Sequence, residues 1–337
     1  KSMEKSIVGR LYEYQKNHAM RLINIIKNNN AALDASDTGT GKTYAAVAVC
    51  KHLKLRPIII CPKSVISTWR EVTKEFKVLP EFIVNYETLQ RGKYYSVSGD
   101  RILCPYIDVK GVKGKEYKFI PSKSNIFIFD EVHRCAGKHT YNAQMLLAAK
   151  RTKKPILMLS ATIADRAQRF MVFFYILNFL DPEQHTKYAE YMYRMDQWVN
   201  RDAKPMVRIH HMLYPDRASR IRIDDLGDKF PETQITATSY YMGKTKSDAI
   251  EKEYRLISEE IDSLQDKEKK DKKNFLVKLL RAHQKIELLK VATIVELVND
   301  FLENNYSVVI FVNFTQTLNV LSNMLKTRCI IYGKQTL

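Results

Sequence analysis

The first half of the chain places its apolar residues in short, nearly uninterrupted runs. These are Ala31–Ala35, Pro57–Cys61, Phe82–Asn85, Ile126–Asp130 and Pro155–Ser160. Runs rich in Ile, Val and Phe, without polar alternation, are what strands buried on both faces of a parallel sheet require. Between several of them the apolar positions shift to helical spacing, over Thr43–Leu53, Ser64–Phe76 and Thr140–Ala149. Repeated strand–helix units predict an α/β fold, a doubly wound sheet with helices on both faces. Residues 95–124 break this rhythm. They are polar and lysine-rich, and predict an insertion with a small hairpin around Tyr106–Phe119.

From about Arg166 to Tyr193 the pattern turns helical and aromatic, and Asp224–Pro231 is a turn-rich junction. Residues 244–304 carry Ile, Leu and Val at helical spacing and predict long helices. The charged run Asp266–Lys273 interrupts them as a solvated helix end or flexible tip. The α/β pattern then restarts with a strand at Val308–Val312, an amphipathic helix at Gln316–Lys326 and a second strand at Cys329–Tyr332. One such unit cannot bury both faces of a sheet, so it is expected to open a larger second lobe. Lys1-Ser2-Met3 likewise reads as a fragment boundary. The expected division is 1–165, 166–304 and 305–337.

The net charge of +18 over 337 residues favours a polyanionic partner over a purely small-molecule enzyme. No apolar run is long enough to span a bilayer, and the start has no signal-peptide pattern. The five cysteines are scattered and form no Cys-x-x-Cys pair. A zinc site or disulfide framework is therefore not expected, and a reducing compartment is. Cys50 and Cys61 are assigned to the core. His210-His211, with no cysteine or acidic cluster nearby in sequence, is assigned a structural role.

The chemistry concentrates in three places. Ser36-Asp37-Thr38-Gly39-Thr40-Gly41-Lys42-Thr43 follows a predicted strand and opens a predicted helix, the setting of a phosphate-binding loop. Gly39 and Gly41 let successive N–H groups face a phosphate, with Thr38 and Thr40 between and beside them. The following helix aims its positive end at the same point. Lys42 supplies a point charge for the outer phosphates of the ligand, and Thr43 a hydroxyl for Mg²⁺. Ser36 stands where this motif has its first glycine. The second place is Ile126–His133, where an apolar strand delivers Asp130 and Glu131 to its C-terminal end. Asp130 is placed to hold Mg²⁺, and Glu131 to orient and deprotonate the attacking water. The third is Ser160-Ala161-Thr162, at another strand end.

In this order the motifs resemble superfamily 2 helicases and translocases, and in finer detail the SWI/SNF-type DNA translocases. Leu11-Tyr12-Glu13-Tyr14-Gln15 resembles the adenine-reading motif, which implies base recognition by Gln15. Ile60–Trp69, Asn85–Leu89 and Asp130–Arg134 resemble motifs Ia, Ib and II, while Val309–Thr315 resembles motif IV and Gly333–Thr336 the stretch after it. Arg220–Leu226 leading to Phe230-Pro231, and Gln284–Lys290, resemble the translocases of large DNA viruses.

The resemblance implies a RecA-like first lobe, a helical protrusion region and the start of a second RecA-like lobe. It implies motion on duplex DNA powered by ATP and Mg²⁺, with RNA as the second candidate substrate. A larger transcription, replication or repair complex would be the setting, and a virion, viral factory or nucleus the site if the protein is viral. Lys63, Ser64 and Thr88 are the positions expected against backbone phosphates. His133, with Ser160 and Thr162, is expected to couple nucleotide to the nucleic-acid cleft, and Trp69 to belong to the core. The pattern departs from the SWI/SNF branch at Ser160-Ala161-Thr162, the form found in RNA helicases, and at Ile163, where proline is expected. Motifs V and VI, with their arginine fingers, are not in the chain, so the expectation for it alone is weak ATP binding and poor hydrolysis. Strand separation and a non-catalytic DNA-binding scaffold are the alternatives. Retention of Lys42, Asp130 and Glu131 argues against the scaffold.

Overall fold

Five of the apolar runs become neighbouring strands of one sheet because each can bury both of its faces. The computed structural model describes residues 7, 9–111, 114–163, 166–179, 188–229, 239–240, 242–262 and 269–333. It divides into two units, Lys1–Glu232 and Thr233–Leu337.

In the first unit, helix α1 (Glu13–Asn29) turns through Asn30, in the left-handed region, into β1 (Ala31–Asp34). Helix α2 (Lys42–Leu53) and β2 (Arg56–Cys61) follow, then α3 (Ile66–Glu75), β3 (Phe82–Asn85) and the short α4 (Tyr86–Leu89). The lysine-rich insertion contains two antiparallel pairs, β4 (Lys93–Tyr95) with β5 (Arg101–Leu103) and β6 (Ile107–Lys110) with β7 (Glu116–Phe119). The second pair is the hairpin expected around Tyr106–Phe119. The sheet resumes with β8 (Asn125–Asp130), α5 (Tyr141–Arg151) and β9 (Ile156–Leu159). Helices α6 (Met171–Ile176), α7 (Tyr188–Arg201) and α8 (Pro205–Leu213) precede a two-residue strand, β10 (Ala218–Ser219).

The main sheet has the order β10-β1-β9-β8-β2-β3, and all its pairs are parallel. Successive side chains of a strand face opposite ways, so each strand feeds two cores. Leu33, Ile58, Ile60, Phe127, Phe129 and Met158 pack on the side of α5 and α6, and Ala32, Ile59, Cys61, Ile128, Leu157 and Leu159 on the side of α1, α2 and α3. Cys50 and Cys61 are buried, as expected. The register sets Asp34 beside Leu159 and Leu159 beside Asp130. The phosphate loop, the Asp130-Glu131 pair and Ser160 therefore leave the sheet along one C-terminal edge, where sheets of this kind bind ligands.

The first unit reaches further than the expected division at 165. Ala218 and Ser219 add an edge strand beside β1, and Phe170, Phe173 and Phe174 pack into the same core as Phe129. A two-residue strand has too few positions to show a period, so the sequence pattern could not place it.

The second unit contains α9 (Lys244–Asp262), α10 (Lys269–Glu303) and α11 (Thr315–Met324), with α10 packed on both of the others. Glu253 pairs with Lys285 between α9 and α10. The strands expected at Val308–Val312 and Cys329–Tyr332 are not formed: neither segment pairs with a strand among the described residues. Val309, Phe311 and Ile331 are 76%, 92% and 93% exposed. Two short strands without further neighbours leave backbone groups and apolar faces in water, and such a pair is marginal. Phe230, Pro231, 266–268 and 334–336, which carried sequence expectations, lie outside the described residues. Among the described residues no helix is long and apolar enough to cross a membrane.

Candidate active site

The loop after β1 adopts the geometry that its glycines predict. Gly39 and Gly41 have φ of 86° and 88°, where only glycine is unstrained. Gly41 is also demanded by space, because a Cβ there would lie 2.2 Å from Gln15 Nε2. Lys42 opens α2, and its Nζ donates to Ser36 O at 2.9 Å and Asp37 O at 3.1 Å. Thr40 Oγ1 donates to Asp37 O at 2.8 Å and closes the loop's first turn. Thr43 sits in the first turn of α2, next to Lys42.

Gln15 is packed against the loop. It is 5% exposed, its Nε2 donates to Thr40 O at 3.0 Å, and its Oε1 accepts the Tyr12 N–H at 3.0 Å. The amide thus ties the start of α1 to the phosphate loop. The exposed face beside it is aromatic, with Tyr12 and Tyr14 stacked at 5.6 Å.

Asp130 ends β8 under three fixed contacts. Trp69 Nε1 donates to Oδ2 at 2.9 Å, Glu131 N to Oδ1 at 2.9 Å, and Tyr86 OH to the Asp130 carbonyl at 2.7 Å. Burial pushes the Asp130 carboxyl up and the Trp69 N–H pulls it down. The neighbouring Glu131 charge pushes it up again, against the Glu131 N–H and the Lys42 charge, and the net position is above the ordinary carboxylate value. Trp69 is in the core, as expected, but its indole N–H also orients the acid, a role its sequence position did not signal. Tyr86 was missed as well.

Glu131 is held at φ 50°, a left-handed conformation that costs a non-glycine residue roughly 1–2 kcal/mol. The turn points its carboxylate at His133, with Oε2 3.2 Å from Nδ1. The same Nδ1 is 3.1 Å from Ser160 Oγ, and Ser160 Oγ donates to Thr162 O at 2.9 Å. With the serine proton committed to Thr162, the His133 Nδ1 proton faces both Ser160 and Glu131. The three residues grouped by sequence as coupling residues therefore form a chain of contacts that reaches Glu131 through His133.

Behind the loop lies a group the sequence reading did not assign. His18 is fully buried, with Nε2 3.0 Å from Asp34 Oδ2 and Nδ1 2.8 Å from Ser219 Oγ. Arg21 Nε donates to the same Ser219 Oγ at 3.0 Å, and Ser36 Oγ lies 3.3 Å from His18 Nε2. Asp34 inside the apolar run Ala31–Ala35 was the available signal, since a buried carboxylate needs a partner.

Of the three expected phosphate-contacting positions, Lys63 and Ser64 are exposed on the turn Lys63–Val65. Thr88 is buried, and its hydroxyl lies 3.3 Å from Tyr95 OH. His210 and His211 are exposed on α8, and His210 packs on Tyr214.

The sequence family described as Type III restriction enzyme, res subunit, matches residues 9–165. A protein of Acanthamoeba polyphaga mimivirus that bears the name of an ATP-dependent RNA helicase is 37% identical over 351 residues, 97% of this chain and 65% of the relative. The first unit carries a superfamily 2 helicase-type ATPase domain. The human SWI/SNF-related matrix-associated actin-dependent regulator of chromatin subfamily A member 1 is 23% identical over 80% of this chain and 26% of its own length. Among solved structures, the Sulfolobus solfataricus SWI2/SNF2 ATPase core in complex with dsDNA aligns over 94% of this chain and 69% of that one, with a TM-score of 0.47 and 17% identity. The chain spans about two thirds of the viral relative and about a quarter of the human one. The fold of this domain is RecA-like α/β, with the Gly-rich loop Ser36–Thr43 at the C-terminal edge of the sheet.

Proposed function

We propose that this superfamily 2 chain belongs to an ATP-driven motor that moves on duplex DNA. The observation that carries the reading is the contact string from Glu131 through His133 to Ser160 and Thr162, on the same sheet edge as Lys42. A motor needs its hydrolytic carboxylate wired to groups that change position, and a simple nucleotide-binding fold does not.

In this reading Lys42 meets the outer phosphates of ATP. Thr43 and Asp130 would hold Mg²⁺, whose charge would offset that of the phosphates. Both supply hard oxygen donors, and a buried carboxylate pushed upward suits a cation neighbour. Glu131 orients the attacking water and accepts its proton, and His133 senses that carboxylate for Ser160 and Thr162. Gln15 acts on the loop through Thr40. Lys63 and Ser64 contact one strand's phosphates, which gives affinity without sequence reading and suits the charge of +18. A larger transcription, replication or repair complex, in a viral setting, is the context we assign.

A second reading is a strand-separating RNA or DNA helicase, favoured by Ser160-Ala161-Thr162 and by the name of the viral relative. ATP hydrolysis measured with duplex DNA, single-stranded DNA and RNA separates the two. Duplex DNA is expected to stimulate most, and Glu131→Gln to lower the stimulated rate by roughly 100-fold or more. Stimulation by RNA or single strands alone supports the second reading, and no stimulation by any of them leaves a scaffold.

A further inference from the structure

The phosphate loop is fastened to the last described stretch of the first unit by side chains that the hydrolytic chemistry does not use. β10 lies beside β1, and the pairing continues past both strands. Ala35 N donates to Ser219 O at 2.9 Å, and Asp37 N to Ile221 O at 3.0 Å. Two loop side chains then add their own bonds. Ser36 Oγ accepts the Ile221 N–H at 2.9 Å. Asp37 accepts Arg220 Nη2 on Oδ1 at 2.7 Å and the Ile223 N–H on Oδ2 at 3.0 Å. A glycine at position 36 would offer the Ile221 N–H nothing, so this departure from the phosphate-loop pattern has a structural use.

The same two residues carry the loop's lysine. Lys42 Nζ is bonded to the carbonyls of Ser36 and Asp37. For its ammonium to meet a phosphate, it has to turn away from one or both. Each peptide unit is planar and stiff, so a change at these carbonyls is felt by the side chains that hold residues 220–223. Stability does not account for the Arg220–Asp37 pair. The Arg220 and Asp37 side chains are 35% and 25% exposed, and an ion pair so open to water contributes little to folding. Burial pushes the Asp37 carboxyl up. The Arg220 bond, the Ile223 N–H and the charges of Arg220 and Arg222 outweigh it and hold the carboxyl below its ordinary value.

We propose that Ser36, Asp37 and Arg220 form a tether that couples occupancy of the phosphate loop by a magnesium–nucleoside triphosphate to the segment 219–223. Ser36 and Arg220 are positioning residues, acting on the nucleotide through the loop backbone. The proposal rests on the ATPase reading above. Coupling is reciprocal: the factor by which nucleotide tightens the tether is the factor by which the tether tightens nucleotide.

The test is amide hydrogen exchange of the 337-residue chain with and without Mg²⁺ and a non-hydrolysable ATP analogue, alongside calorimetric affinity for the same analogue. In the wild type, the analogue should slow exchange of the Ile221 and Ile223 amides roughly tenfold. Arg220→Ala should lose that protection and bind the analogue roughly tenfold more weakly, and Arg220→Lys should recover part of both. Ser36→Gly should lose protection at Ile221 while keeping it at Ile223. An unfolding midpoint near wild type shows that each variant is folded; should a variant not fold, the wild-type exchange decides alone. Binding without protection at 221 and 223, or unchanged affinity in a folded Arg220→Ala, overturns the tether alone. Weak binding is expected of this chain alone; a wild-type chain that does not bind the analogue even weakly overturns the ATPase reading and the tether with it.

Discussion

Ile126–Phe129 in β8 and Val308–Val312 in the second unit are written in the same apolar alphabet and end differently. In β8 every one of these side chains is fully buried, between β2 and β9 at the edges and helices on the faces. In 308–312 no strand partner is present among the described residues, and Val309 and Phe311 stand in solvent. An apolar run specifies that a segment can be a strand, and its neighbours decide whether it is one. The first test substitutes one aromatic in each. Phe127→Ala should cost about 3–5 kcal/mol in urea unfolding. Phe311→Ala should change stability by less than about 0.5 kcal/mol. A Phe311→Ala cost near that of Phe127→Ala would mean that 308–312 is buried in solution, and the comparison would fail.

The contrast sharpens where burial in the first unit is combined with polar chemistry. Trp69 is fully buried like Phe127, yet its N–H reaches Asp130 Oδ2. Trp69→Phe keeps most of the apolar contact and removes the donor. It should cost about 1–3 kcal/mol, less than an alanine in β8 but more than any exposed change in 308–312. Tyr86→Phe, which removes the bond to the Asp130 carbonyl, should cost about 1 kcal/mol. Urea midpoints for both variants check the order. A Trp69→Phe protein as stable as wild type would make the indole N–H incidental to the acid's position.

The same contrast explains what the sequence could show. The five strands of the first unit were legible because each satisfies its own pattern through immediate sheet neighbours. Gly39, Gly41 and Lys42 were legible because a phosphate loop has local spacing. The Glu131–His133–Ser160 string was half legible: its members were named, but their contact depends on β8 and β9 being adjacent. His18, Ser219 and Arg220 were not legible, since α1 and β10 are joined only by the fold, about 200 residues apart in sequence. The burial of Thr88 and its contact with Tyr95 were not legible either, because the motif that named Thr88 does not tell which way a hydroxyl turns.

Helix starts offer a smaller comparison. Thr140 caps α5, its Oγ1 accepting the Ala143 N–H at 3.2 Å. α11 begins after Phe314, which has no capping side chain, and Glu287 from α10 accepts the Asn313 and Phe314 N–H groups at 3.1 and 3.3 Å. Thr140→Ala should therefore cost about 1 kcal/mol. For α11 the corresponding loss should come from Glu287→Ala in another helix, with no gain from a new cap at 314. Thermal unfolding of the two single variants and of Phe314→Ser distinguishes local from tertiary capping.

The smallest expected effect concerns Glu81, which leads into β3. Its side chain is 5% exposed, with Oε2 accepting Asn125 Nδ2 at 2.9 Å and Oε1 3.4 Å from Arg56 Nη2. Burial pushes its carboxyl up, but the Asn125 and Tyr106 bonds and the Arg56 charge prevail and hold it below the ordinary value. A carboxyl lowered by folding stabilises the native state above its unfolded value, and that contribution is lost as pH falls through the folded value. Glu81→Gln should thus lower the urea midpoint at neutral pH and shrink the difference from wild type as pH drops below about 4. The segment 308–312 pairs with no strand among the described residues, so the acid sensitivity from Glu81 belongs to the first unit. If the difference between wild type and Glu81→Gln stayed constant with pH, Asn125 and Arg56 would not be acting on an ionised Glu81. The paired edges of β2, β3 and β8 would then be held by packing and backbone bonds without help from charge.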